Sequence, residues 1–112
     1  MFPVISVEIK RRVEGYTDDN GNWIPAGEYT IAMADADIQP LGGFERNTSL
    51  QTTYESTHRA FINANDIHYE NGYSSIEQGD ILVDADGTEY TVTFVANWIF
   101  HIELDLRENN GD

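Results

Sequence analysis

Two segments of the sequence bring carboxylates close enough together to suggest a cation site. Asp84-Ala85-Asp86-Gly87 has the acidic spacing with which a calcium-binding loop begins. The twelfth position of such a loop holds a bidentate Glu, but counting from Asp84 the twelfth residue is Val95. The sequence therefore favours a hairpin turn here. The segment Asp18-Asp19-Asn20-Gly21-Asn22 also predicts a turn, although clustered carboxylates in a loop can collect a weak cation.

The histidines are the other residues whose chemistry needs an explanation. His58, His68 and His101 match no common zinc spacing, and the chain has no cysteine to complete a zinc site. His58 and His101 can pair on neighbouring strands near an acidic residue, but surface positions on strands are the simpler interpretation. Glu103 and Asp105 share a strand face, as exposed carboxylates often do. The sequence therefore predicts no metal site, no cofactor and no catalytic residues.

Motifs for covalent or phosphate chemistry are also missing from the sequence. No serine lies in a nucleophile elbow, and no glycine-rich segment has the pattern of a phosphate-binding loop. We therefore expect a protein that is not an enzyme.

Alternating apolar and polar residues predict the elements that hold these side chains. The segment from Gly79 to Val92 predicts a hairpin with a two-residue Asp86-Gly87 turn, since Gly adopts positive φ freely and Asp tolerates it. After the turn, Tyr90, Val92 and Phe94 are expected on the buried face and the threonines between them on the wet face. Strands are predicted over 4–14, 29–39, 58–63, 80–85, 88–96 and 101–106.

Inward-facing residues can be assigned on the first and last strands. On the first strand, alternation places Ile5, Val7 and Ile9 inside and leaves the orientation of Val13 undecided. On the last strand, it places Ile102, Leu104 and Leu106 inside, while His101, Glu103 and Asp105 face water. Trp98 lies between two predicted strands and is expected in the core, whereas the position of Trp23 stays open.

Three polar segments separate or follow these strands. Residues 41–57 form a long predicted loop, residues 65–75 a second polar excursion, and residues 107–112 a frayed polar tail. A connection as long as 41–57 is uncommon in a small domain and is usually functional or disordered. The predicted fold is an all-β, single-domain β-barrel of about six mainly antiparallel strands over residues 1–112.

The composition of the chain limits the kinds of partner that we expect it to bind. The 112 residues carry a formal net charge of −14, which repels phosphate backbones and disfavours nonspecific binding of nucleic acid. The basic run Lys10-Arg11-Arg12 is interpreted as a solvated strand edge. No stretch approaches the roughly 20 apolar residues of a membrane span, and no signal peptide is recognised, so we expect a protein kept or assembled in the cytoplasm.

Three short motifs follow one another along the chain: Ile38-Gln39-Pro40, Gly79-Asp80, and Asp86-Gly87 followed by Tyr90 and Val92. Their order resembles that in the head-closure (stopper) or head–tail joining proteins of long-tailed bacteriophages. The resemblance covers roughly residues 30–106. It also includes Ala36-Asp37, Thr57 to Ile62, residues 76–83, Trp98 and His101-Ile102-Glu103.

The resemblance implies a structural virion protein without catalysis or cofactor. Such a protein is expected to assemble as a homo-oligomeric ring below the portal and its adaptor, to close the DNA channel after packaging, and to receive the tail. Packaged DNA then passes without sequence-specific binding, and the protein is found at the head–tail interface of the virion. The segment after Ile38-Gln39-Pro40 is the expected channel loop: Leu41, Gly42, Gly43, Phe44, Glu45, Arg46, Asn47, Thr48, Ser49, Leu50, Gln51, Thr52 and Thr53.

A second function class stays open beside this one. The chain can instead be a stand-alone β-barrel that binds a sugar or a cation, with Tyr16, Trp23, Tyr29 or residues 18–22 as its contact residues. A third, an enzyme, requires that His58, His101 and an acidic residue converge in one pocket.

Overall fold

The structure is a computed structural model that describes residues 4–41 and 56–109. These ranges contain strands and turns and no helix. The strands, in chain order, are β1 (Val4–Val13), β2 (Tyr16–Thr17), β3 (Trp23–Ile24), β4 (Gly27–Pro40), β5 (His58–Tyr69), β6 (Ile81–Val83), β7 (Glu89–Asn97) and β8 (His101–Asn109).

Six of these strands close into an antiparallel barrel. The order around it is β1-β4-β5-β8-β7-β6, and β6 returns to pair with β1. The predicted all-β barrel of six antiparallel strands is therefore confirmed. The closing strand β6 is short, with three pairs to β1 and three to β7.

Small and large side chains together fill the barrel. β4 turns Ala32, Ala34 and Ala36 inward, where they leave room for larger residues from the other strands. The other buried core residues are Val7, Ile9, Ile31, Ala60, Ile62, Ile76, Leu82, Tyr90, Val92, Ile102, Leu104 and Leu106. The inward faces predicted for the first and last strands are thus confirmed at five positions, and Ile5 packs half-buried against the core.

A bulge in β7 reverses one predicted orientation. Val92 pairs with Leu106 and Phe94 with Asp105, so Thr93 is an extra residue in the ladder. Beyond this bulge Val95 packs against the core, whereas Phe94 is absent from the core cluster. The prediction that Phe94 shares the buried face of Val92 was therefore wrong, because the inserted residue shifts the alternation by one.

The last strand also differs from its prediction. Asp105 was expected to face water, but it is buried, and Arg59 donates from Nε to its Oδ1 at 2.8 Å. The two residues are direct partners across the β5–β8 ladder. The strand continues through Asn109, so residues 107–109 of the predicted tail belong to the sheet and 110–112 lie outside the described residues.

β5 is longer than predicted and bends at an irregularity. Ile62 pairs with Ala36 and Ile67 with Ala34, so residues 63–66 leave the β4 ladder before the strand resumes through Tyr69. Asn71 and Gly72, both at positive φ, then turn the chain, with a hydrogen bond from the N–H of Tyr73 to the carbonyl of Glu70. The polar excursion predicted over 65–75 is therefore corrected: residues 65–69 belong to β5, and an Asn-Gly turn follows them.

Part of the β1–β4 hairpin extends past the barrel. The last β1–β6 pair is Lys10 with Ile81, while β1 and β4 stay paired out to Val13 and Gly27. β2 and β3 then form a short two-stranded sheet, with Tyr16 opposite Ile24. We call residues 11–30 the arm.

Candidate functional site

The connection between β4 and β5 leaves the barrel from a fixed base. The backbone N–H of Leu41 donates to the carbonyl of Thr57 at 2.9 Å, and the N–H of Thr57 donates to the carbonyl of Leu106 at 2.7 Å. These bonds join the two ends of the connection to each other and to β8. Leu41 is itself buried, so the first residue of the predicted channel loop belongs to the barrel wall.

Side chains strengthen this base. The Thr57 hydroxyl accepts a hydrogen bond from the backbone N–H of Glu108 at 2.9 Å and lies 2.8 Å from Nδ1 of His58. Ser56 is fully buried, with its hydroxyl 2.7 Å from that of Thr93. The buried Ser56 and the half-buried Thr57 are thus anchored to β7 and β8 by side-chain hydrogen bonds.

The body of the predicted channel loop lies outside the described residues. This applies to Gly42, Gly43, Phe44, Glu45, Arg46, Asn47, Thr48, Ser49, Leu50, Gln51, Thr52 and Thr53. We call residues 42–55 the insert.

The first motif of the resemblance forms the strand that enters the insert. Ile38 pairs with Ala60, and Pro40 pairs with His58 in the last rung of the β4–β5 ladder. Gln39 lies between them and donates from Nε2 to Oδ2 of Asp37 at 3.3 Å. The motif therefore positions the insert and contains no reactive arrangement.

The second motif closes the seam between β1 and β6. Asp80 is buried and receives two hydrogen bonds from Arg11, one of them from Nε at 2.8 Å. Its Oδ2 also accepts the backbone N–H of Glu77 at 2.7 Å. Gly79, at φ +96°, donates to the carbonyl of Val92. Through these contacts Gly79-Asp80 joins β1 and β7 to the start of β6, so its role is structural.

The third motif is a hairpin turn, as predicted, but its loop has three residues instead of two. The N–H of Asp84 donates to the carbonyl of Thr88, and Gly87 alone in this loop has positive φ, +93°. Asp84 Oδ1 accepts the backbone N–H groups of Asp86 and Thr88, both at 3.0 Å. Its carboxylate is thus engaged with the turn's own amides, which explains the acidic spacing without calcium.

Tyr90 and Val92 follow this turn on the buried face of β7. The Tyr90 ring packs edge-on against His58, with ring centroids 5.1 Å apart. Burial, together with the nearby charges of Asp84, Glu108 and Asp86, raises the pKa of the Tyr90 phenol to about 12.

The arm carries the second acidic segment. Asp18 Oδ1 accepts the backbone N–H groups of Asn20 and Asn22, at 3.0 and 2.8 Å. Gly21 adopts φ +85° in the same turn. Among residues 4–41 and 56–109, no three His, Cys, Asp or Glu side chains are grouped as metal ligands would be.

The histidines do not come together. His58 pairs with Leu106 and His101 with Asn63, five rungs apart on the same β5–β8 ladder. At about 3.4 Å per residue, this is a separation of roughly 17 Å. His101 Nε2 lies 2.9 Å from Oε2 of Glu103. The convergence that an enzyme would need at His58 and His101 is therefore contradicted.

The β7–β8 hairpin carries an exposed apolar tip that was not predicted from the sequence. Trp98, expected in the core, is 57% exposed, and Ile99 and Phe100 beside it are 85% and 79% exposed. We call these three residues the apolar tip. The available signal was a hairpin connection that holds three large apolar residues and no Gly, Asn, Asp or Pro.

The topology separates these features between the two ends of the barrel. The β4–β5 connection and the β6–β7 turn lie at one end, where β1 also begins. The arm, the β5–β6 connection and the apolar tip lie at the other end. The attachment points of the insert, Leu41 and Ser56, and the apolar tip therefore lie at opposite ends of the barrel.

Comparisons with protein-family models and with curated proteins give no significant match. In the described ranges, no helix has the length and hydropathy required to cross a membrane.

Proposed function

We propose that this chain is a structural subunit of the head–tail connector of a long-tailed bacteriophage. In this role it assembles as a ring below the portal and its adaptor, closes the DNA channel after packaging, and receives the tail. The observation that carries the proposal is the fixed base at Leu41 and Thr57, from which the insert leaves one end of a closed barrel.

The length of the insert supports a role beyond connecting two strands. Leu41 and Thr57 are already hydrogen-bonded neighbours, so a tight turn of a few residues is sufficient to join β4 to β5. The chain instead places residues 42–55 there. Any ordering of a segment on assembly costs about 1–2 kcal/mol per residue, which contacts between subunits must offset.

The charge of the chain supports a channel role as well. With a net charge of −14, its surface repels the DNA backbone and allows DNA to move past without adhering. Asp18 and Asp84, the acidic residues at the start of the two candidate cation segments, instead accept hydrogen bonds from backbone amides of their own turns.

The test is deletion of the gene in its source phage or prophage, followed by electron microscopy of the lysate. We expect separate tails beside heads that package DNA and then lose it. Complementation with the intact gene should restore infectious particles. Normal infectious particles without the gene would contradict the connector role.

A second complementation isolates the insert. Residues 42–55 are replaced by a short glycine–serine linker between Leu41 and Ser56, and circular dichroism of the purified variant checks that the barrel still folds. If the insert closes the channel, heads that carry this variant should lose DNA although the ring is present. Retained DNA would assign closure to another part of the connector.

A ligand-binding barrel remains the second candidate, because Trp23 and Tyr16 are both exposed on the arm. It predicts chemical-shift changes confined to the arm when calcium or oligosaccharides are added. A panel of both ligand classes that leaves these resonances unchanged would remove it.

A further inference from the structure

The apolar tip is a cluster, not a set of scattered surface residues. Seven large hydrophobic side chains are exposed in the described part of the chain, and only Trp98, Ile99 and Phe100 among them are consecutive. A single exposed apolar residue is ordinary on a protein surface, whereas a cluster commonly marks a binding surface. Trp and aromatic residues in general are also the side chains that contribute most to protein interfaces.

Hydrogen bonds and a ring contact hold the tip in place. The N–H of Trp98 donates to the carbonyl of His101, and the N–H of Ala64 donates to the carbonyl of Phe100, both at 2.9 Å. The Trp98 ring stacks on the His101 ring, with centroids 6.1 Å apart and planes 23° apart. A projection that is already held in one conformation loses little conformational entropy when a partner buries it.

The surroundings of the tip lack the charge of the rest of the chain. Residues 90–102 contain no Asp, Glu, Lys or Arg, although 23% of the whole chain is charged. Residues 63–65 beside the tip are exposed and uncharged as well. The next carboxylate along the strand, that of Glu103, lies 2.9 Å from Nε2 of His101. Aromatic enrichment together with depletion of charge is typical of the centre of a protein interface.

These features favour a different protein over a second copy as the partner. A convex apolar tip needs a concave apolar pocket, and two cavities on this chain have charged linings, one with Arg12, Glu14 and Glu28 and the other with Asp35 and Asp66. Two copies that each carry a net charge of −14 also repel each other. The tip therefore fits an uncharged apolar pocket on another protein.

The small size of the tip indicates that it acts in a multivalent assembly. A specific interface takes roughly 20–30 residues on each side, whereas residues 63–65 and 97–100 supply only seven. One subunit should therefore bind weakly through the tip. A ring of subunits presents the tip several times, and such repetition raises the overall affinity without any new contact.

The position of the tip determines which neighbour it meets in the proposed connector. There the insert meets DNA that the head contains, so its attachment points, Leu41 and Ser56, face the head. The apolar tip lies at the opposite end of the barrel. That end then faces the tail.

We propose that the apolar tip is the anchor through which each subunit docks onto the tail, by inserting into an uncharged apolar pocket of a tail protein. The inference deepens the proposed function and rests on it, since it names the surface that receives the tail and the chemistry of its partner.

The test is complementation of the gene deletion with a chain that lacks the tip's side chains, Ile99→Ser combined with Phe100→Asn. Neither residue has positive φ, so polar turn-forming residues fit both positions, and the purified variant should keep the thermal midpoint of the parent. We expect heads that retain their DNA beside free tails. Tailed particles should fall by roughly tenfold or more, because every subunit of the ring loses its aromatic anchor.

A matched control removes exposed apolar surface elsewhere on the barrel. Met33→Gln changes a side chain that is 39% exposed on β4, away from the tip, and should restore tailed particles to the level of the parent gene. Normal tailing with the double variant overturns the proposal and leaves the connector role intact, provided that the deletion still separates heads from tails. Heads that lose their DNA with the double variant place the tip on the head side and also overturn it. Normal infectious particles after the deletion itself would remove the connector role and the proposal together.

Two measurements on purified protein distinguish the other possible occupants of the tip. In sedimentation velocity, a dimer that forms with the parent chain and is lost in the double variant would identify a second copy. With Trp23→Phe, which leaves Trp98 as the only tryptophan, a blue shift of the emission on phosphatidylcholine vesicles would identify a lipid surface. Either result overturns the proposal. We expect no dimer that depends on the tip and no shift of the emission.

Discussion

Arg11 donates hydrogen bonds to both carboxylate oxygens of Asp80, from Nε at 2.8 Å and from Nη2 at 3.0 Å. The two residues are 69 positions apart in the sequence. The pair lies just beyond Lys10 and Ile81, the last rung of the three-rung β1–β6 ladder. Arg11 Nη2 also donates to the carbonyl of Ser75, and its guanidinium lies 5.0 Å from the centre of the Tyr73 ring. The ion pair therefore extends the three-rung β1–β6 ladder, and the hydrogen bond to Asp80 raises the pKa of the Arg11 guanidinium.

Removal of the Asp80 carboxylate should open this seam. Asp80→Ala leaves the half-buried Arg11 and the N–H of Glu77 without their acceptor. We expect a loss of about 2–3 kcal/mol in the free energy of unfolding, below the full cost of a completely buried pair because Arg11 keeps some access to solvent. Urea denaturation measures the loss.

The control for this prediction is the exposed pair on the arm. Arg12→Gln breaks the contact with Glu28, in which both partners are solvent-accessible, so the expected cost is below about 1 kcal/mol. If the Asp80 and Arg12 variants cost the same, the seam does not depend on the buried pair.

Asp84 should stabilise its turn without calcium. Asp84→Ala removes the acceptor of two backbone N–H groups, and we expect a loss of about 1 kcal/mol in the free energy of unfolding. Calcium should leave the thermal midpoint of both the variant and the parent protein unchanged. A midpoint that rises with calcium in the parent and not in the variant would instead identify a cation site.

The fold could be predicted from alternation wherever the ladder is regular. Val7, Ile9 and the inward residues of β8 follow the two-residue period, and a strong turn signal at Gly87 marks the hairpin between β6 and β7. Alternation fails at Thr93, because a bulge adds one residue without any change in composition, and every side chain beyond it changes face.

The site was predictable only in part, for a related reason. A polar segment such as 63–66 has no pattern of a strand, and its place between the two halves of β5 depends on contacts with Phe100 and His101. Trp98 has the composition of a core residue, so sequence alone cannot show that the barrel is already full without it. The apolar tip is exposed because of the way the barrel closes, and the sequence alone does not show this.

Alkaline pH should destabilise the protein through Tyr90. Its pKa is raised to about 12 in the folded chain, against about 10 for an unperturbed phenol, so folding favours the protonated form. This contribution is complete below pH about 10 and is lost as the pH rises through about 12. Denaturation midpoints measured across this interval should fall less steeply for Tyr90→Phe than for the parent. Tyr16→Phe, a change on the exposed arm, is the control and should follow the parent profile.

The Thr57 hydroxyl should be required for the rigid base of the insert. Thr57→Val keeps the branched shape but removes the acceptor of the Glu108 N–H and the contact with His58 Nδ1, and we expect a loss of about 1–2 kcal/mol in the free energy of unfolding. Amide hydrogen exchange gives the local readout, since the Glu108 amide should exchange faster. Thr91→Val is the matched control: it breaks a hydrogen bond from β7 to the Asn109 side chain of β8 and should leave the Glu108 amide protected. Unchanged exchange at Glu108 in Thr57→Val would mean that the backbone bonds of Leu41 and Thr57 hold the base without help from the side chain.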